Sequence, residues 1–424
     1  MLDRLKQLDK SIRIAIIGIG SMGRSLLYQS PITPGVQCVA IADLDINRAI
    51  SFAERMKCKY RVSHDLEGVH RAIREGLMAV CEDGDLLARC ELVDALVESS
   101  SSINAAAVFA ITALEHRKHL ILVNSEIDLT FGPYLLRLAQ DNGVTYTSCD
   151  GDQHGVIKHL IDEIQLWGFD LVMAGNIKGF LDRYSDPVKI IPEADIRNLG
   201  YKMATAYTDG TKLCIEMALL ANACGLAVTV PGMQGPRAND VHEVFTLFDF
   251  DSIWRRREPV VDYLLGAEPN GGVFAVGHCD NPYQMAMLSY YKMGSGPFYL
   301  FYRPYHLCHV EAIACIAEAS LDGRSLLQPD WGLRTNVYAY AKRSLRKGER
   351  LDGIGGFTCY GLIDNNDLGG TNDGLPICLA DDLLLKRDIP RDGKIRMEDV
   401  NYDPRRLDFD LYFKSLAVGK RGWR

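Results

Sequence analysis

The stretch IRIAIIGIGSMG, residues 12–23, decides the fold. Its first six residues carry four isoleucines and an alanine. Such a short apolar, β-branched run suits a strand buried on both faces of a parallel sheet. Gly18, Gly20 and Gly23 follow in the spacing G-x-G-x-x-G. Gly18 permits the tight turn out of the strand, Gly20 lets backbone approach a pyrophosphate, and Gly23 lets the next helix pack close. Backbone N–H groups around Ser21 and Met22, aided by the helix dipole, would hold the phosphate charge. A second strand at 36–42 ends in Asp43, 20 residues after Gly23, where a ribose-binding carboxylate is expected. The alternative for Asp43 is a helix N-cap. Its charge would repel a 2′-phosphate, so it favours NAD(H) over NADP(H), although Arg48 stands close enough in sequence to reach a phosphate.

Outward from this motif, strand-like and helix-like stretches alternate to residue 149. A strand at 92–97 closes in Glu98 and the serines 99–102; a strand at 119–123 closes in Asn124, Ser125 and Glu126. Polar residues at the carboxyl ends of central strands are where a doubly wound sheet places ligand groups, which nominates Ser99, Asn124 and Glu126. Residues 151–330 mix helical and strand patterns: a strand at 169–176, a charged loop at 177–198, a strand at 202–208, a helix at 212–224 and an alanine-rich helix at 308–319. From Trp331 onward the pieces are short, β-like and separated by Gly, Asn and Asp. The expected architecture is α/β: a Rossmann domain at 1–150 built on a doubly wound parallel sheet, an α+β substrate domain at 151–330 and a small all-β domain at 331–424.

Composition narrows the partners. The 424 residues carry a net charge of −8, which disfavours nucleic acid and anionic membranes. Residues 1–10 are charged, so no secretory leader is expected there, and no apolar run reaches the ~20 residues that span a bilayer. Twelve cysteines without a C-x-x-C pair read as reduced thiols in a cytoplasmic protein.

Against this acidic background, several middle-domain cations stand on tight turns. Lys178 ends a strand, Arg237 lies in the loop PGMQGPR, and Arg303 precedes a proline. Such cations suit a small anionic substrate, phosphate or carboxylate. Lys212 and Glu216 are four apart, on one helical face, flanked by apolar residues. They read either as a surface ion pair or as a proton donor with its relay, a buried lysine being able to protonate a developing alkoxide. His306 and His309 are three apart; a shared metal lacks an evident third ligand, and His306 as a hydrogen-bond donor to substrate is the simpler reading.

Longer blocks carry a resemblance. GIGSMG (18–23), VNSEIDLTFGPYL (123–135), GDQ (151–153), DGTKLCIEMALLANACGL (209–226), PGMQGPRA (231–238) and GPFYLFYRPYHL (296–307) resemble the deoxyxylulose-phosphate-reductoisomerase-like (DRL-like) proteins, relatives of homoserine dehydrogenases with a C-terminal SAF domain. The resemblance implies a nicotinamide domain, a substrate domain and a β-clip appendage. It places Asn124 and Glu126 beside the nicotinamide, and Lys178, Lys212, Glu216, Arg237, Arg303 and His306 along the substrate pocket. The activity it implies converts 1-deoxy-D-xylulose 5-phosphate with NADPH and a divalent cation, whereas here the second strand ends in Ala42-Asp43-Leu44-Asp45 rather than in basic residues. The reading is therefore an NAD(P)-dependent oxidoreductase acting on a small phosphorylated keto-sugar or polyol, in a homo-oligomer. Lys212 serves as proton donor, Glu216 as relay, and Lys178 as the next catalytic candidate. No metal ligand is assigned, although a divalent cation is compatible with the resemblance. The alternatives are reductoisomerisation itself, a homoserine-dehydrogenase-like reaction and a non-enzymatic cofactor-binding protein.

Overall fold

The structure, a computed structural model, describes residues 1–197, 199–366 and 372–419; of the expected third domain, 367–371 and 420–424 lie outside the described residues. The chain forms two compact units. The first comprises Met1–Asp152, Leu307–Gln328 and Leu411–Val418; the second comprises Gln153–His306 and Pro329–Asp410 with the chain end.

The first unit is built on seven strands: β1 (Ile12–Ile17), β2 (Val36–Ala42), β3 (Tyr60–Val62), β4 (Met78–Cys81), β5 (Ala95–Glu98), β6 (His119–Leu122) and β7 (Tyr146–Ser148). All pair in parallel, in the order β3-β4-β2-β1-β5-β6-β7. The strand order reverses at β1, which has β2 on one side and β5 on the other. In open α/β sheets this switch point opens the ligand crevice. Local capping sets the helices around it. The Asp45 carboxylate accepts from Arg48 N–H at 3.3 Å and starts the helix Ile46–Arg55; Ser102 Oγ accepts from Ala105 N–H at 3.3 Å and starts Ile103–Glu115. Asn124 begins Ser125–Asn142, which ends on Gly143 at φ +68°.

Two readings change. The sequence assigned 308–319 to the substrate domain, yet the helix Cys308–Asp322 packs against the helix Ser21–Gln29, β6 and β7 of the first unit. The segment 202–208, read as a strand from its alternation, is the helix Tyr201–Thr208; Ala204, Thr205 and Ala206 are buried together, and the helix packs against Thr211–Cys224.

The second unit holds a four-stranded sheet of β8 (Asp170–Lys178), β9 (Val260–Leu265), β10 (Val273–His278) and β11 (Phe298–Arg303), in the order β11-β10-β8-β9. Strands β8 and β9 are parallel, and β10 runs antiparallel to both β8 and β11. The carboxyl ends of β8, β9 and β11 therefore share one edge. One face packs an apolar core of Met173, Ile177, Leu264, Phe274 and Val276 against Phe248, Phe250 and Trp254. The helix Gln153–Leu166 packs on β8 and β10 and also touches the helix Thr211–Cys224, which is buried along nearly its whole length.

The C-terminal segment belongs to this unit. It contains β12 (Thr335–Ala341), β13 (Arg350–Asp352), β14 (Cys359–Asn365), β15 (Asp381–Leu385) and β16 (Val400–Asn401), all antiparallel. β12 and β14 pack on Thr211–Cys224, and Gly361 N–H donates to Thr211 Oγ1 at 2.8 Å. The buried pair Lys342–Asp209, 2.9 Å apart, adds a second tie. We keep the division 1–150, 151–330 and 331–424 as a proposal about sequence modules; compactness cuts the chain differently.

Candidate functional site

In the first unit the glycines sit at the switch point. Gly18 adopts φ +89°, and a Cβ there would lie 2.6 Å from Ser100 N; a Cβ on Gly23 would lie 1.9 Å from the Gly18 carbonyl oxygen. Neither position tolerates a side chain. Gly20 is different: a Cβ there meets nothing within 4 Å, so open space faces the loop where a pyrophosphate would approach. Gly20 is also the N-cap of Ser21–Gln29, and no side chain caps that helix. Its first N–H groups, near Ser21 and Met22, have no side-chain acceptor and suit an anion. These features fit a dinucleotide.

Asp43 is buried, and its Oδ2 accepts from Ile19 N–H at 2.7 Å while Oδ1 accepts from Asp45 N–H at 2.9 Å. The carboxylate thus braces the glycine loop from the end of β2, and the N-cap role falls to Asp45 instead. A carboxylate has about four acceptor directions, so it can still take ribose hydroxyls. Arg48 Nη1 lies 3.6 Å away, which leaves both dinucleotides in play. Ser99 turns inward: its hydroxyl donates to the carbonyls of Ile17 at 2.9 Å and Gly18 at 2.8 Å. Asn124 Nδ2 donates to the Ser100 carbonyl at 2.9 Å, and its Oδ1 caps the next helix through Ile127 N–H at 3.3 Å. Ser99 and Asn124 therefore shape the loop rather than present free groups. Glu126 is buried at the start of that helix.

The sequence named Glu98 only as a strand end. It is wholly buried at the end of β5, its Oε1 accepts from Ser100 N–H at 2.9 Å, and Oε2 has no hydrogen-bond partner among the described residues. Burial pushes its carboxyl up to about 8, opposed by hydrogen bonds from Ser100 and Asn124.

In the second unit, register gathers the cations. Arg303 pairs with Val273, Val273 with Asn176, and Asn176 with Tyr263. In the next row Lys178 pairs with Leu265, and Leu265 with Arg237 on its other side. Residues directly opposite one another point to the same face, as do i and i+2. Lys178, Arg237, Arg303, Asn176 and Tyr263 thus share one face at the carboxyl edge of the sheet. His306 reaches the same edge: its Nδ1–H donates to the Gly271 carbonyl at 2.8 Å, and Gly271 N–H donates to the Ile177 carbonyl at 3.0 Å. In the neutral ring this leaves Nε2 as an acceptor, not the donor to substrate expected from the sequence, because the Nδ1–H is spent on Gly271.

Asp262 holds the PGMQGPR loop in place. Fully buried, it accepts from Gln234 N–H at 3.0 Å, Gly235 N–H at 2.8 Å and Tyr263 N–H at 2.8 Å. Burial raises its carboxyl to about 6, against those three donors. Arg183 stands beside Tyr263 and lies 5.9 Å over the Tyr360 ring. Lys212 and Glu216 are 4 % and 2 % exposed, which rules out a solvated surface pair. Each has polar interactions in the fold. Asn176, Tyr263 and Asp262 were missed in the sequence. The available signal was a polar residue two positions before Lys178 in an otherwise apolar strand.

Residues 151–312 match the family described as "Oxidoreductase DRL, catalytic domain". That span contains Lys178, Lys212, Glu216, Arg237, Arg303 and His306. No curated protein matches the sequence. Among solved structures the chain is similar to a DOX-P reductoisomerase with fosmidomycin and magnesium, at 18 % identity and TM-score 0.35, over 48 % of this chain and 56 % of that one. It is similar to a probable dehydrogenase from Thermotoga maritima, at 12 % identity and TM-score 0.36, over 96 % and 87 %. A third is a putative myo-inositol dehydrogenase from Sinorhizobium meliloti 1021, at 10 % identity and TM-score 0.38, over 74 % and 90 %. The chain spans about half the length of the reductoisomerase structure it matches. Likenesses this distant carry no argument about substrate. The matched segment, following a seven-stranded dinucleotide-type sheet, supports an NAD(P)-dependent oxidoreductase whose residues 151–312 are similar to the DRL catalytic domain.

Proposed function

We propose that the protein is an NAD(P)-dependent oxidoreductase acting on a small phosphorylated keto-sugar or polyol. The observation that carries this reading is the placement of Lys178, Arg237 and Arg303 on one face at the carboxyl ends of the strands, Lys178 between the other two, in the matched segment. Three cations at one edge of an acidic protein suit a compact anion, and two guanidinium groups suit the bidentate geometry of phosphate or carboxylate. The dinucleotide, when bound, supplies or accepts hydride. The chain's own residues do the rest. Lys178, Arg237 and Arg303 hold the anion, and His306 offers Nε2 to a substrate hydroxyl. Lys212 delivers the proton to the substrate oxygen, with Glu216 holding or relaying it one helical turn away.

NAD(H) is the preferred dinucleotide in this reading because Asp43 closes β2, and a divalent cation and a homo-oligomeric state belong to it as further proposals. So does a cytoplasmic location, with no disulfide among the twelve cysteines. No helix among the described residues is long and apolar enough to cross a membrane. The SAF identity of the C-terminal sheets is likewise a proposal. The test is a panel of phosphorylated ketoses and polyols offered with NADH, NAD+, NADPH and NADP+. Dinucleotide-dependent turnover of at least one supports the reading; binding of dinucleotide without turnover of any favours the cofactor-binding alternative.

A further inference from the structure

Asn176 is a strand residue of the cation-bearing face whose amide oxygen and nitrogen are both left over. Its side chain is 1 % exposed, and neither Oδ1 nor Nδ2 has a hydrogen-bond partner among the described residues. A buried carboxamide is almost always satisfied, because stripping it of water without replacement is costly. Here one donor and one acceptor are orphaned together near the carboxyl end of β8. Asn176 lies two residues from Lys178 on the same face, with Tyr263 opposite it on β9 and Arg303 in the same row two strands away. Tyr263 cannot fill the gap by leaning towards it. Its ring lies over Gly235, where an added Cβ would come 2.0 Å from Cζ, and the Arg183 guanidinium stands beside its phenol.

We infer that Asn176 recognises a neutral oxygen group of the substrate, a hydroxyl or the carbonyl beside it, next to the anion held by Lys178, Arg237 and Arg303. The inference rests on the anion-site reading above and narrows it. Cations alone would accept any compact anion. An uncharged group with one donor and one acceptor side complements a hydroxyl, which is itself both. The substrate class is thus a hydroxylated phosphate or carboxylate, not a bare one. Asn176 acts as a specificity-determining residue. An analogue lacking the hydroxyl leaves the amide buried and unpaired, and the lost affinity follows from that penalty.

The experiment compares matched probes by calorimetry on the full chain with NADH present. Glycerol phosphate and propyl phosphate differ only in hydroxyls, as do glycerate and propanoate; the two pairs separate a phosphate from a carboxylate anchor. The unmodified protein should prefer the hydroxylated member of one pair by ~10-fold or more. Asn176→Leu, nearly isosteric, should bring that ratio to about one and leave affinity for the bare anion within about two-fold. Its melting temperature should stay level or rise, since an unpaired amide has been removed. Asn176→Ala serves as a second variant of the same prediction. If either variant keeps the original ratio, or if the unmodified protein shows no preference within either pair, the inference is overturned while the anion site stands. If no probe binds at all, the anion-site reading fails and takes the inference with it.

Discussion

Lys178 and Arg237 stand on opposite sides of Leu265, one at the end of β8 and the other in the PGMQGPR loop, so two cations share one row of the sheet edge. Asp262 fixes the loop half of that pair through two of the loop's backbone N–H groups, those of Gln234 and Gly235. Arg237 itself is exposed. Arg237→Gln should therefore weaken glycerol phosphate binding by ~10-fold, the loss of a charge-assisted contact, with little change in melting temperature. Calorimetry and thermal unfolding on the same samples check this; unchanged affinity would remove Arg237 from the site.

Asp43 makes a cofactor prediction with a structural rider. NADH should bind more tightly than NADPH, and Asp43→Asn should narrow the gap. Because Asp43 also braces Ile19 N–H, the variant should lose some affinity for both dinucleotides. Tighter binding of NADPH by the unmodified protein would point to Arg48, 3.6 Å away, as the deciding group.

Glu98 gives a pH dependence. Burial raises its folded-state carboxyl to about 8, above its ordinary value in the unfolded chain. Between those values the folded state binds the extra proton. The stabilisation is therefore complete in acid and is lost as pH rises through about 8. At ~1.4 kcal/mol per unit the effect amounts to several kcal/mol. Urea unfolding should show Glu98→Gln gaining on the unmodified protein as pH rises from 5 to 8. An equal difference at both ends would mean that Glu98 is ionised throughout.

The dinucleotide-type sheet was legible because its signals are local: glycine spacing, β-branched runs and caps within a few residues of one another. The anion-binding edge was legible as residue types on turns, but not as a row, because the register of β8, β9, β10 and β11 spans more than a hundred residues. Strand β9 (VVDYLL) escaped notice as a short apolar run among polar loops, and 202–208 was misread because KMATAYT alternates like a strand yet buries Ala204 and Ala206 as a helix. The unit boundaries were invisible for a similar reason. Cys308–Asp322 finds its packing partners near residues 21–29 and 119–148, which no local pattern announces. Asn176 showed in the sequence only as a polar residue in an apolar strand, since an orphaned amide is defined by burial.

The C-terminal sheets yield a stability prediction. Lys342 is 6 % exposed and Asp209 1 %, and they pair at 2.9 Å. Lys342 Nζ also donates to the carbonyls of Ser185 and Gly356, at 2.7 Å each. Lys342→Met leaves a buried carboxylate without its partner at the start of the helix that carries Lys212. The expected loss is ~3–5 kcal/mol by chemical denaturation. A loss under ~1 kcal/mol would show that the pair is replaced by water.

The most direct test of the central claim is the turnover rate of Lys212→Met on whichever phosphorylated ketose or polyol the dinucleotide-coupled panel yields. Methionine keeps the bulk of the buried stem and removes the proton. A general acid in place is worth ~10²–10⁴-fold, so kcat should fall by that factor, equivalent to ~3–5 kcal/mol of barrier, with dinucleotide affinity nearly unchanged and the fold intact by circular dichroism. A variant that turns over the substrate at the unmodified rate would contradict the assignment of Lys212 as proton donor and pass that role to Lys178.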